Sequence, residues 1–186
     1  SRMGIKFSLE LCKRGYFPKG GGEVNLHVNP SNLKSISFTT RKTNLVKLIC
    51  TFSKLSVSEI KKKVKDIEEK LIKENFVVDT EIKNENAIDS GASLLIYSID
   101  ENSIIGVDSL FDKKIQNFNL DFDKFVKKSL GVDENLADML VVIASLGDKK
   151  TIFHVKEITK HLETNLFVTS KITGCKYGIG RLNDGF

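Results

Sequence analysis

Three histidines are the side chains best suited to nucleophilic or acid–base work near neutral pH, and their settings differ. His161 lies in "TKHLETNLFVTSK", where Ile158, Leu162 and Leu166 recur at helical spacing, so it falls in the first turn of a predicted helix. Backbone N–H groups lack partners there, and the positive end of the helix dipole attracts phosphate. An imidazole there could serve as an attacking nucleophile toward such an anion. On residue type alone, an ordinary surface or capping histidine competes with that role. His27 alternates away from the apolar face of a predicted strand, and His154 sits in a short strand of its own. Neither has a partner at metal-ligand spacing, so both read as structural and no metal-ligating residues are expected.

The loop "RGYFPKGGGEV" is the second place where chemistry is conceivable. A Walker-type phosphate loop needs spaced glycines followed by Lys-Ser/Thr at the start of a helix. Here Glu23 and a strand follow Gly22, so the loop reads as a turn, with glycines for positive φ and Pro18 fixing its first half. Arg14 and Lys19 are its remaining candidates for phosphate or RNA contact. Tyr97, in the strand "LLIYSI", could stack on a base, although a lone aromatic in a strand is more often core. The run "KKKVKDIEEK" reads as the solvated face of a helix.

The elements that must position these residues follow from periodicity. "IKFSLEL" and "EVNLHVN" alternate with period two and pair across the glycine loop, Val24, Leu26 and Val28 pointing one way. "LVKLICTFS" is a strand. "SVSEIKKKVKDIEEKLIKE" is a helix opened by the capping box of Ser56 and Glu59. "FVVDTEI" is a strand, and "SGASLLIYSI" and "SIIGVDSL" make a hairpin across "DENS". "DFDKFVKKSL" predicts a short amphipathic helix. Asp133 caps a helix over "ENLADMLVVIASLG", which its many apolar positions predict to be buried on more than one side and which Gly147 ends. "TIFHV" is a short strand and "CKYGIGRL" a closing one. The first and last stretches each lack covering layers, whereas the β-α-β-β-β run in the middle is self-contained. It therefore reads as an inserted unit.

Composition bounds the function classes. The 186 residues, 40% hydrophobic, suffice for a substantial core. No apolar run approaches the roughly 18 residues of a membrane span, and no signal peptide opens the chain, so a soluble, cytoplasmic protein without membrane partners is expected. Ser1–Met3 reads as a cloning remnant. A net charge of +5 weakly favours an anionic partner such as nucleic acid or a nucleotide. Cys12, Cys50 and Cys175 are odd in number and without CxxC spacing, against a disulfide framework or zinc site and for a reducing compartment.

Four motifs carry a resemblance. "KRGYFPKGGGEV" resembles the "RG-aromatic-aromatic-P-x-GGG-x-V" signature of the RNA 3'-terminal phosphate cyclase family. "SGASLLIYSI", "ENLADML" and "EITKHLETNLFV" are similar to three further family segments, in family order and spacing, from about residue 4 to residue 177. The resemblance implies an α+β fold: part of a large domain of βαβαββ-type repeats carrying a small α/β insert domain. The expected boundaries are 1–34 and 130–186 for the large domain and 35–129 for the insert. It also implies that this chain is the C-terminal half, the family's N-terminal Gly-rich segment and arginines having no counterpart, so the missing N-terminal half is an expected partner.

For the site, the resemblance places the family's adenylated histidine on His161, with ATP and Mg2+ as cofactors and RNA bearing a 3'-phosphate end as substrate. The implied reaction is ATP-dependent conversion of that end to a 2',3'-cyclic phosphate through a histidine-AMP intermediate, the isolated chain being incomplete. The run Glu134, Asn135, Leu136, Ala137 and Asp138 matches the family's ATP-contacting segment. Asp138 could orient the imidazole or hold a divalent cation, or be a surface acid favoured by the helix dipole. Asn135 and Met139 depart from the family's usual aromatic and glutamine. Asn165, four residues after His161, shares its helix face. The alternative function is a non-catalytic, cyclase-like protein that binds RNA or an assembling ribosome, a branch expected to lack the histidine.

Overall fold

A computed structural model describes residues 2–127 and 130–182. Strand β1 (Lys6–Lys13) pairs antiparallel with β2 (Glu23–Asn29). Phe7 stands opposite Val28, Leu9 opposite Leu26 and Leu11 opposite Val24, so period-two alternation gathers six apolar side chains on one face of the hairpin. His27 falls on the other face, opposite Ser8, as expected. The glycine loop is a turn: Gly20 and Gly21 have φ of +65° and +73°. A Cβ on Gly15 would collide with the backbone of Gly20 and Gly22. Arg14 donates from Nε to Glu85 Oε2 at 2.9 Å, and the buried Tyr16 donates its hydroxyl to the Thr51 carbonyl at 3.0 Å. The loop thereby docks on the middle of the chain.

That middle begins with the short β3 (Ser37–Phe38) and then β4 (Leu45–Ser53), α1 (Val57–Lys73), β5 (Val77–Asn84), β6 (Gly91–Asp100), β7 (Ser103–Asp112) and β8 (Asn117–Phe118). The sheet order is β5-β4-β6-β7-β8. β4 and β5 run parallel because α1 carries the chain back between them, and the remaining pairs are antiparallel. Ser56 caps α1, its hydroxyl accepting from the Glu59 N–H. Ile60, Val64 and Leu71 of α1 pack on Val46, Leu48, Cys50 and Phe52 of β4 and on Leu94, Ile96 and Ile105. The lysines of α1 remain on its outer face, as the charge run predicts.

The helix predicted over "DFDKFVKKSL" is shorter, α2 spanning Phe122–Val126 with Phe125 buried; Lys128 and Ser129 lie outside the described residues. A second apolar cluster is made by Met3, Ile36, Phe38 and Val132 with α3 (Glu134–Ser145) and α4 (Lys160–Thr173). Between these helices β9 (Ile152–Phe153) pairs in parallel with β3.

Met3 is 4% exposed and packs with Ile36 and Phe38 in the second core. Three expectations are corrected. Helix α3 is buried on one side only: Ala137, Leu140 and Val141 face the core, while Met139 and Val142 are 70% and 51% exposed. Residues 175–182 form no strand, since none of the described residues pairs with them. The lone aromatic Tyr97 is only half-buried and lines the open face of the sheet beside Leu45, Lys47 and Ile99.

Candidate active site on helices α3 and α4

Helix α4 starts where Thr159, in extended conformation, accepts the Leu162 N–H on its hydroxyl at 3.0 Å. Leu162 points inward and is 1% exposed. His161 precedes it by one residue, about 100° around the helix, and its side chain is therefore turned out to solvent. It occupies the second helical position, where the backbone N–H groups have no intrahelical acceptor. Asn165 follows one turn later, half-buried. Around this helix end the exposed Lys156 and Lys160 are matched by the exposed Glu157 and Glu163, so its positive character is that of the backbone N–H groups.

Helix α3 starts at Asp133 in a comparable way, but with a second link. One carboxylate oxygen, Oδ1, accepts from the Leu136 N–H at 2.8 Å; the other, Oδ2, accepts from the Gly106 N–H of β7 at 3.0 Å. Ala137, Leu140 and Val141 share a core with Leu162, so the helix bearing the 134–138 run and the helix bearing His161 rest on each other. Within the run the side chains divide. Ala137 is fully buried, Leu136 half-buried and Asn135 exposed. The Glu134 side chain is 9% exposed, with Oε2 3.3 Å from Lys124 Nζ of α2. Asp138 is half-buried, and its Oδ1 is shut off from solvent with no hydrogen-bond partner among the described residues. A buried carboxylate oxygen left without a donor is costly, by about 1–3 kcal/mol or more, and is satisfied by any cation or donor brought to it.

Of the other residues considered, His154 donates its backbone N–H to the Phe38 carbonyl at 2.8 Å, and its own carbonyl accepts from Val132 at 3.2 Å. His27 stands on the open hairpin. Arg14 is engaged by Glu85, and Lys19 holds Asp89 through its backbone N–H at 2.8 Å. Among the described residues no three of His, Cys, Asp and Glu come together as a metal cage. Sequence reasoning identified Asp133 only as a cap and passed over Lys124; an Asp-Glu pair opening a helix is common enough to hide both contacts.

Fold and site together define an α+β protein with an exposed histidine at the electropositive tip of one helix and a buried, unsatisfied carboxylate oxygen on the helix packed against it. Its family can be stated. The model of the RNA 3'-terminal phosphate cyclase family matches residues 1–179, and the chain belongs to that family. It is 29% identical over 188 residues to the RNA 3'-terminal phosphate cyclase of Saccharolobus islandicus, an alignment covering 96% of this chain and 55% of that protein. It is 28% identical over 187 residues to the protein of that name from Methanococcoides burtonii, covering 99% and 56%. For that from Pyrobaculum aerophilum the identity is 27%, covering 95% and 53%. The chain thus spans about half the length of these curated relatives. No helix among the described residues is long and apolar enough to cross a membrane.

Proposed function

We propose that this chain is the C-terminal half of an ATP-dependent RNA 3'-terminal phosphate cyclase, with residues 35–129 inserted into a larger domain that the N-terminal half completes. The observation that carries this reading is His161: an exposed imidazole on the second residue of a capped helix, packed against the helix of the 134–138 run. Its ring nitrogen attacks the α-phosphorus of ATP, forming an N–P bond as the bond to pyrophosphate breaks. The free N–H groups of the first turn of α4 face the charge that develops on the phosphoryl oxygens. An oxygen of the RNA 3'-phosphate then takes the adenylyl group, which returns the histidine to its free form. The adjacent 2'-hydroxyl attacks the 3'-phosphorus, loses its proton and expels AMP, leaving the 2',3'-cyclic phosphate.

Asp138 is the carboxylate suited to Mg2+, since its Oδ1 has no donor of its own. A single protein carboxylate is what Mg2+ commonly takes when phosphates supply most of its ligands. The ion, when bound, neutralises phosphate charge. Glu134 is tied to Lys124, so it serves this site through the backbone position it fixes. The exposed apolar face of the β1–β2 hairpin is where the N-terminal half packs, and without that half the chain is inactive.

The test incubates the chain with α-labelled ATP and magnesium, with and without the complementary N-terminal half. Acid-labile label on the reconstituted pair, absent in His161→Ala, is the expected result. A reconstituted pair that binds RNA and takes no label overturns the catalytic reading in favour of the non-catalytic, RNA-binding one.

A further inference from the structure

Residues 131–133 are gripped from three sides. Ile104 of β7 donates its N–H to the Gly131 carbonyl at 2.8 Å and forms a parallel bridge with Val132. On the opposite edge Val132 donates to the His154 carbonyl at 3.2 Å, just after β9 and on the way into α4. Gly131 itself lies against the backbone of Phe38 and Thr39, so closely that any Cβ would collide with it. This short segment joins the five-stranded sheet to the β3–β9 pair by hydrogen bonds, and α3 begins at its end.

The two acids that follow do more than start a helix. One carboxylate oxygen is enough for an N-cap, and Asp133 Oδ1 fulfils that role; Oδ2 reaches across to Gly106 of β7. An acid in the first turn is favoured by the dipole while fully solvated, yet Glu134 is buried and directed at Lys124 of α2. Both contacts run to the sheet unit of residues 45–126. The same unit is thereby linked to the 134–138 run, whose next residues Ala137, Leu140 and Val141 pack with Leu162, the neighbour of His161.

We propose that the sheet unit acts as a positioning arm for the N-terminus of α3, with Asp133 and Lys124 as positioning residues that set where the 134–138 run stands relative to His161. The inference rests on that run's contacting the nucleotide. Neither residue touches the reacting atoms. Their effect is on how well the 134–138 run is held ready to receive the nucleotide, so losing them weakens ATP binding and leaves the reacting groups in place.

Asp133→Asn separates the two tasks, because asparagine caps a helix about as well as aspartate but offers the Gly106 N–H an amide donor once its oxygen is used on Leu136. Lys124→Ala removes the ion pair to Glu134 at a position 43% exposed in its side chain, so no core packing is lost with it. Each is assayed in the reconstituted pair by labelling of His161 across a range of ATP concentrations. Amide exchange at Leu136 and Gly106 is followed without nucleotide. The expected result is half-maximal labelling at about 10-fold higher ATP or more, with the saturated rate within about 2-fold, recovery in Lys124→Arg, and faster exchange at both amides in Asp133→Asn. Unchanged half-saturation in both variants, whatever the exchange, reduces the contacts to structural ties and overturns the proposal. If the unmutated pair takes no label, the adenylation reading fails and the arm with it, an outcome told apart by the missing wild-type signal.

Discussion

Strands β2 and β4 follow the same rule of alternation and end in opposite environments. Val46, Leu48, Cys50 and Phe52 of β4 are at most 3% exposed, whereas Val24, Leu26 and Val28 of β2 are 53–61% exposed. The difference does not lie in the strands. The chain continues from β4 into α1, whose Ile60, Val64 and Leu71 cover the face at once, while none of the described residues forms a layer over the apolar face of the hairpin. Alternation thus specifies that a face is to be covered without specifying by what. Six exposed apolar residues on a two-stranded hairpin, an element only marginally stable alone, make a surface built for completion.

The largest effects that sharpen this contrast belong to the closed core. Phe52→Ala, at a side chain 1% exposed, is expected to lower stability by about 3–5 kcal/mol, and Leu48→Ala by about 2–5 kcal/mol. Denaturant titration of the chain measures both; losses under 1 kcal/mol would mean that the sheet unit is as unfinished as the hairpin.

Cys50 probes the same core through pH. Burial pushes its thiol from 9.0 up to about 12, since a thiolate there would lose its hydration. The unfolded thiol ionises first, so stability is complete below pH 9 and is lost as pH rises from about 9 toward about 12, by at most about 1.4 kcal/mol per pH unit. Tyr16, its hydroxyl also pushed up by burial, bends the curve the same way. Unfolding measured from pH 8 to 11 should show a slope that Cys50→Ala flattens. Thiol reagents should modify exposed Cys12 in the native chain and reach Cys50 only on unfolding.

Tyr16→Phe tests the joint between the two regions. It removes one buried hydrogen bond to the Thr51 carbonyl while keeping the ring against Gly91, and should cost about 1 kcal/mol. A neutral result would mean that the glycine loop docks by shape alone.

Much of this was legible where structure is local. The capping side chains Ser56 and Asp133 each mark a helix start, and the hairpins follow from period-two runs flanking turn residues. What failed depended on distant neighbours. "CKYGIGRL" has strand-like alternation, but a strand exists only where another bonds to it, and the described chain offers none. The apolar residues of α3 suggested burial on more than one side, yet Met139 and Val142 have no covering layer among the described residues. Met3 gave no signal because its pocket is assembled from Ile36, Phe38 and the far end of the chain. In the site, His161 was marked by its place on a helix, a local property. Its association with the 134–138 run through Leu162, and the second hydrogen bond of Asp133, arise only in three dimensions.

The smallest expected effect discriminates most sharply. Leu26→Ala removes a side chain that is 61% exposed and opposite Leu9, itself 63% exposed, so in the chain by itself little apolar area returns to water. The change should stay within about 0.5 kcal/mol, the usual range for surface substitutions. If the N-terminal half covers this face, the same leucine becomes a core residue of the pair, and its removal should weaken association by about 2–5 kcal/mol, the cost of a buried Leu→Ala. Stability of the chain and its affinity for the complementary half, measured on one variant, therefore move by different amounts. Ser8→Ala, on the opposite face of the same hairpin, serves as the control. Equal affinities for Leu26→Ala, Ser8→Ala and the unmutated chain would assign the cover to another surface, and would leave the hairpin as a face that alternation prepared and nothing in the N-terminal half fills.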